Sequence, residues 1–78
     1  MLYMSKTEKL LEKLKRGSIS APELRTLLKK MGAELINIEG SHERYYLGAR
    51  RFSLAVHGKD LKRYQVKQAM EFLGVKDE

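Results

Sequence analysis

The middle of the chain alternates apolar and polar residues with the period of a β-strand. Two runs of aromatic and branched residues flank the glycine-containing turn 48–50, and this pattern predicts a β-hairpin. We expect Leu47 and Phe52 to close a four-residue loop, so that His42 lies directly opposite His57. The apolar face, which must be buried, then carries Tyr45, Leu47, Phe52, Leu54 and Val56. The other face, which is polar, cationic and aromatic, carries His42, Arg44, Tyr46, Ser53 and His57.

Three further segments repeat apolar residues with the period of a helix. Capping-box patterns and glycine stops place the first two helices within residues 5–17 and 20–32. The third helix is expected from about residue 65 to 73. The apolar stripes are Leu10, Leu11 and Leu14; Leu24, Leu27, Leu28 and Met31; and Val66, Ala69, Met70 and Leu73.

Residues 33–39 alternate as a third strand, in which Ile36 and Ile38 are expected on the buried face. Three consecutive strands with short connections favour an antiparallel meander. The predicted fold class is α+β, in the order α-α-β-β-β-α, with a three-stranded antiparallel sheet and helices packed on one face. We expect one domain over residues 1–78, in which 18–75 form the core and 1–17 an additional helix that could equally be an appendage.

Charge is concentrated around and after the hairpin. The chain carries a net charge of +6, and residues 40–67 hold seven Lys/Arg against two Asp/Glu. Such a cluster is the electrostatic pattern expected for a polyanionic partner, although a basic surface can also serve solubility alone. Lys62, Arg63 and Lys67 gather where the last helix begins, and amides and cations together at a helix start suit a phosphate.

Other features of the composition restrict the class of protein. Cysteine is absent and no metal-ligand cluster is visible, so we expect no disulfide, no metal and no cofactor. No signal peptide and no membrane-spanning segment are apparent. The expected location is therefore the cytoplasm, with no membrane partner.

Several segments together resemble the HicA family of toxin ribonucleases. One helix ends in Lys29-Lys30-Met31-Gly32, Gly40-Ser41-His42 opens the hairpin, Val56-His57-Gly58-Lys59 follows it, and the last helix ends in Phe72-Leu73-Gly74-Val75. The similarity covers about residues 20–75 and is most specific at Gly40-Ser41-His42. The chain departs from the family at Ala55, where Pro is common, and at Tyr64-Gln65, where Gly-Thr is common.

The resemblance implies a fold similar to a double-stranded-RNA-binding domain and a toxin that cleaves mRNA without a metal. It also implies neutralisation by a HicB-like antitoxin, and it assigns the catalytic histidine to His42. Histidine suits this chemistry, because its ordinary pKa of about 6.5 allows both general acid and general base roles. In the predicted register, His57 is a possible second acid or base. Candidate RNA-binding residues are Arg44, Tyr46, Arg50, Arg51, Lys59, Lys62, Arg63 and Lys67.

Two alternatives remain open on the residues alone. The same fold and basic face would suit a non-catalytic RNA- or DNA-binding domain, and a structural protein–protein module is a weaker third hypothesis. A histidine after Gly-Ser at a strand start is also common as a simple turn residue. A small antitoxin gene beside this one would favour the toxin.

Overall fold

A computed structural model of the protein describes residues 5–55 and 61–75. Within them the elements are α1 (Lys6–Arg16), α2 (Ala21–Lys30), β1 (Glu34–Glu39), β2 (His42–Leu47), β3 (Arg50–Ala55) and α3 (Arg63–Leu73). The strands form one antiparallel sheet in the order β1-β2-β3, which makes β2 the central strand. This arrangement confirms the predicted α+β class and order of elements. In the described ranges, no helix has the length and apolar character needed to cross a membrane.

Local sequence signals determine where α1 and α2 begin. The Ser5 hydroxyl accepts a hydrogen bond from the Glu8 amide at 3.2 Å, and the Glu8 carboxylate accepts one from the Ser5 amide at 3.0 Å. Ser20 and Glu23 form the same reciprocal pair. Both capping boxes satisfy amides that have no partner within the helix. Glu23 also forms an ion pair with Lys13, which joins α2 to α1.

The first helix is packed into the core. Leu10 and Leu14 of α1 are buried in the same apolar cluster as Leu54 of the sheet. On the other side of this cluster, α3 lies against β3, where the rings of Phe52 and Phe72 stack with centroids 5.6 Å apart. α1 is therefore an integral layer of the described structure and not an appendage.

The hairpin has a tighter turn than the sequence predicts. Leu47 pairs with Arg50 and Tyr45 with Phe52, so the turn is the two residues Gly48 and Ala49. Gly48 has a φ of +61°, and a two-residue hairpin turn favours glycine where φ is positive. The predicted pairings of Leu47 with Phe52 and of Tyr45 with Leu54 are therefore wrong by two residues.

The same correction changes the partner of His42. Its neighbour on β3 is Ala55, and not His57 as predicted. The predicted faces are nevertheless correct for the described residues, because a slip of two residues preserves the alternation of a strand. Tyr45, Phe52 and Leu54 are buried. Val56, His57 and Lys59 lie outside the described residues.

Strand β1 departs most from prediction. Ile36 has no partner in the pairing of β1 with β2, where the register shifts between Leu35 and Asn37. This irregularity is a bulge, which interrupts the alternation of faces. Ile36 and Ile38, which we expected to be buried, are 55% and 60% exposed. β1 is an edge strand, and the helices do not cover its side chains as they cover those of β2 and β3.

Candidate functional site

The face of the sheet turned away from the buried core holds four of the ten predicted site residues, His42, Arg44, Tyr46 and Arg51. Cross-strand partners share a face, so the pairings define three rows across β1, β2 and β3. These rows are Glu39, His42 and Ala55; Asn37, Arg44 and Ser53; and Glu34, Tyr46 and Arg51. We call this surface the open face.

His42 is the first residue of the central strand. The turn before it contains Gly40 at a φ of +60°, a conformation that residues with a side chain rarely adopt. β2 begins directly after this turn, and His42 pairs with Glu39 on β1 and with Ala55 on β3. His42 is exposed on the open face. Its backbone is therefore held by strands on both sides, while the residue remains exposed to solvent.

Cations and an aromatic ring lie beside this histidine. Arg44 and Arg51 are exposed on the open face, and Tyr46 is paired with Arg51. A shallow depression of about 340 Å³ lies between β2 and β3, lined in part by Arg44, Tyr46, Arg51 and Ser53. A guanidinium suits a phosphate, and an aromatic ring suits a base. These residues make the open face both cationic and aromatic.

Arg50 lies elsewhere, although the sequence placed it among the RNA-binding candidates. It pairs with Leu47, and its Nη1 donates a hydrogen bond to the Phe72 carbonyl at 3.1 Å. That carbonyl is in the last turn of α3, where such groups have no partner within the helix. Arg50 therefore stabilises the end of α3 on the side of the sheet opposite to His42.

The remaining predicted cations lie where α3 begins. Lys62 is the N-cap residue and makes no side-chain cap hydrogen bond, and no acidic residue occupies the first turn of α3. The far end of α3 lies near Arg50 at the start of β3. At the beginning of α3, Arg63 and Lys67 line a groove with Lys15, Arg16 and Gly17 at the end of α1, in the helix layer.

A polar network on the helix-covered side of β2 was missed by the sequence reasoning. The Arg25 guanidinium of α2 donates from Nε at 3.0 Å and from Nη2 at 2.6 Å to the Glu43 carboxylate. The Tyr45 hydroxyl donates to the same carboxylate at 2.7 Å. The sequence did contain one indication of this network. Strand alternation places the Glu43 carboxylate on the apolar face of β2, where a charged group requires a partner.

The network changes the ionisation of its members. The hydrogen bonds from Arg25 hold the pKa of Glu43 below its ordinary value, and Glu43 in turn raises the pKa of Arg25. Burial, together with the bond to Glu43, raises the pKa of Tyr45. Arg25 and Glu43 thus join α2 to the strand that begins with His42, immediately behind the open face.

This ion pair leads to a prediction on pH dependence. Because the pKa of Glu43 is lower in the folded protein, its contribution to stability is present above the unfolded pKa of about 4.3 and is lost as the pH falls. Arg25→Met should lower the free energy of unfolding at pH 7 by about 1–3 kcal/mol, because Glu43 loses its charged donor. Urea unfolding from pH 7 to pH 3 measures both effects.

A matched control is Lys29→Met on the same helix. We expect the difference in stability between wild type and Arg25→Met to shrink toward pH 3, while Lys29→Met follows wild type throughout. A difference that stays constant over this range would contradict the ionic origin of the stabilisation.

Comparison with known proteins identifies the family. A family model described as the HicA toxin of bacterial toxin-antitoxin systems matches residues 21–75. No curated protein and no solved structure gave a match. The matched range begins with α2 and includes the whole sheet and α3, whereas α1 precedes it. Since this range is more than half of the chain, the protein belongs to the HicA toxin family of bacterial toxin–antitoxin systems.

Proposed function

We propose that this toxin is a metal-independent endoribonuclease that cleaves mRNA with His42 as its catalytic residue. One observation carries the proposal: His42 is exposed at the start of the central strand, on the open face that also presents Arg44, Tyr46 and Arg51. Family membership supports a toxin, and the chemistry of this face supports RNA as its target. A HicB-like antitoxin is proposed as the protein that neutralises it.

The proposed reaction needs no nucleophile from the protein. A base removes the proton from the ribose 2′-hydroxyl, whose oxygen attacks the adjacent phosphorus, and the bond from phosphorus to the 5′-oxygen breaks. An acid protonates that leaving oxygen, so the products are a 2′,3′-cyclic phosphate and a 5′-hydroxyl. Imidazole performs either proton transfer near neutral pH. His42 takes one of these roles, and His57 is the proposed second acid or base.

Cations on the open face support the transition state. The non-bridging oxygens of the phosphate gain negative charge as the 2′-oxygen attacks phosphorus, and fixed guanidinium groups stabilise that charge. Arg44 is two residues from His42 on the same strand and the same face, which places the two Cα atoms about 7 Å apart. Arg44 is therefore the proposed transition-state cation, and Lys59 is a further candidate.

The rest of the open face is proposed to bind the RNA chain. Tyr46 stacks on a base, and Arg51, its cross-strand partner, contacts the neighbouring phosphate. Lys62, Arg63 and Lys67 are proposed as a separate set of phosphate contacts at the start of α3, in the helix layer. Arg50, whose guanidinium caps α3, supports the structure and is not proposed as an RNA contact.

Salt dependence tests the role of the α3 cations. Removing both charges in Lys62→Gln/Arg63→Gln should weaken binding to a single-stranded RNA and reduce the slope of log K against log salt by about 1.4, or 0.7 for each lost phosphate contact. Fluorescence anisotropy with a labelled 12-nucleotide RNA at several salt concentrations measures the slope. The control is Lys29→Gln/Lys30→Gln, which removes the same charge from α2. An unchanged slope in the first variant and a reduced one in the control would move the site to α2.

A non-catalytic RNA- or DNA-binding domain is the alternative, because the basic open face suits binding without cleavage. Incubating purified protein with RNA, with and without EDTA, separates the two. The proposed enzyme degrades RNA equally in both and leaves 2′,3′-cyclic phosphate ends. Binding without degradation would favour the alternative, and cleavage lost in EDTA would contradict the metal-independent mechanism.

A further inference from the structure

An apolar groove lies between helix α2 and strand β1, on the side of the sheet opposite to His42. Its volume is about 740 Å³, and most of its lining is apolar, from Ala33, Leu35, Ile38 and Tyr45. Arg25 and Lys29 of α2 form its other wall. We call it the edge groove. A groove with this lining is typical of a surface that binds an apolar segment of another molecule.

The bulge in β1 creates this groove. In a regular strand, Leu35 and Ile38 would point to opposite faces, because they are three residues apart. The extra residue Ile36 shifts the alternation, so that both side chains line the edge groove. They remain 46% and 60% exposed. The sequence thus places two large apolar side chains on one side of an edge strand and leaves them without cover from the described residues.

The backbone of β1 is also available for pairing. β1 is bonded to β2 on one side and forms an edge of the described sheet on the other. An edge strand presents a row of amides and carbonyls to which an extended peptide can add as a further strand. Backbone pairing along β1 and side-chain packing into the edge groove would then occur in one binding event.

The charges of β1 argue against a second copy of this chain as the occupant. Antiparallel pairing of two β1 strands along their full length places Glu34 of each copy opposite Glu39 of the other. Like charges directly opposite each other on neighbouring strands are destabilising, and this arrangement contains two such pairs. The complementary partner is an extended segment with Lys or Arg near both ends and apolar residues between them.

We propose that the edge groove docks the antitoxin, which adds one extended segment of this composition to β1. The proposal rests on the toxin–antitoxin pairing implied by the family and names the surface that serves it. Glu39 at the end of β1 pairs with His42 on β2. A strand added to β1 lies about 10 Å from β2, or two strand spacings. The added strand would therefore extend the sheet beside the open face, next to the edge at which Glu39 pairs with His42.

The test uses the protein encoded by the reading frame next to the toxin gene, purified and mixed with this chain. Hydrogen exchange of backbone amides 34–39 should slow by at least tenfold in the complex. Ile38→Lys places a charge in the edge groove and should weaken binding at least tenfold. Because Ile38 is 60% exposed, this variant should keep the fold and the RNA cleavage of wild type. The matched control is Tyr64→Lys, which alters an apolar side chain of α3 that is 54% exposed and should leave binding unchanged.

Each alternative gives a different result. Absence of binding by the wild-type chain, or equal binding by Ile38→Lys without protection of β1, would overturn the proposal. A wild-type chain that is dimeric alone, and becomes monomeric in Ile38→Lys, would show that the occupant is a second copy. RNA cleavage is measured separately on the same proteins. Protection of β1 in a chain that does not cleave RNA would reject the ribonuclease and retain the docking surface.

Discussion

Replacing His42 with alanine is expected to lower the rate of RNA cleavage by about 10²–10⁴-fold, the range for loss of a general acid or base. The substitution should leave the fold intact, because His42 is exposed at the start of a strand. An exposed polar side chain of this kind contributes under about 0.5 kcal/mol to stability. RNA binding should remain nearly unchanged. Single-turnover cleavage in EDTA, together with anisotropy binding, measures the two effects separately.

His57→Ala is the companion variant. If both histidines transfer protons, the pH–rate profile of the wild-type protein is bell-shaped, and each single variant loses one limb. If only His42 acts, His57→Ala cleaves at the wild-type rate. Wild-type, EDTA-resistant cleavage by His42→Ala would refute the catalytic assignment.

The second large effect concerns the core. Leu54→Ala is expected to lower the free energy of unfolding by about 2–5 kcal/mol, because Leu54 is fully buried between the sheet and the helices. A domain of this length has a total stability of roughly 4–12 kcal/mol, so the loss is a large part of it. Urea denaturation, followed by circular dichroism, gives the change in midpoint.

Ser53→Ala is the control for this experiment. Ser53 is the preceding residue of β3, and its side chain lies on the open face. Its replacement should change stability by less than about 0.5 kcal/mol. Similar midpoints for Leu54→Ala and the wild-type protein would show that the helices do not pack on this face of the sheet.

Local patterns in the sequence were sufficient to predict the helices and strands and to predict which side chains lie on each face of the hairpin. Ser5 and Ser20 start α1 and α2 as predicted, because a capping box involves residues only three positions apart. Alternation correctly separated His42 and Arg44 from Tyr45 and Leu54. This separation survived a wrong register, since the two-residue shift leaves each side chain on its face.

The candidate site was predictable only where it depends on alternation and motif. His42, Arg44 and Tyr46 share the open face, as expected, and Arg51, which was predicted to lie in the loop, joins them as a residue of β3. Arg50 was predicted to lie in a four-residue loop, but the two-residue turn makes it the first residue of β3, on the helix side. The position of a cation along a strand is a local property of the sequence. The partner of Arg50, the Phe72 carbonyl, lies 22 residues away along the chain and is brought close only by folding.

The sequence by itself determined which residues form helices and strands and which hairpin side chains are buried, because these depend on spacings of a few residues. The tertiary structure alone decided the turn length, the bulge at Ile36 and the union of Arg25 with Glu43. The ion pair joins residues 18 positions apart, which meet only when the layers pack. The turn length and the bulge follow from the strand register that this packing selects. The edge groove belongs to this second group, because the bulge and the position of α2 create it together.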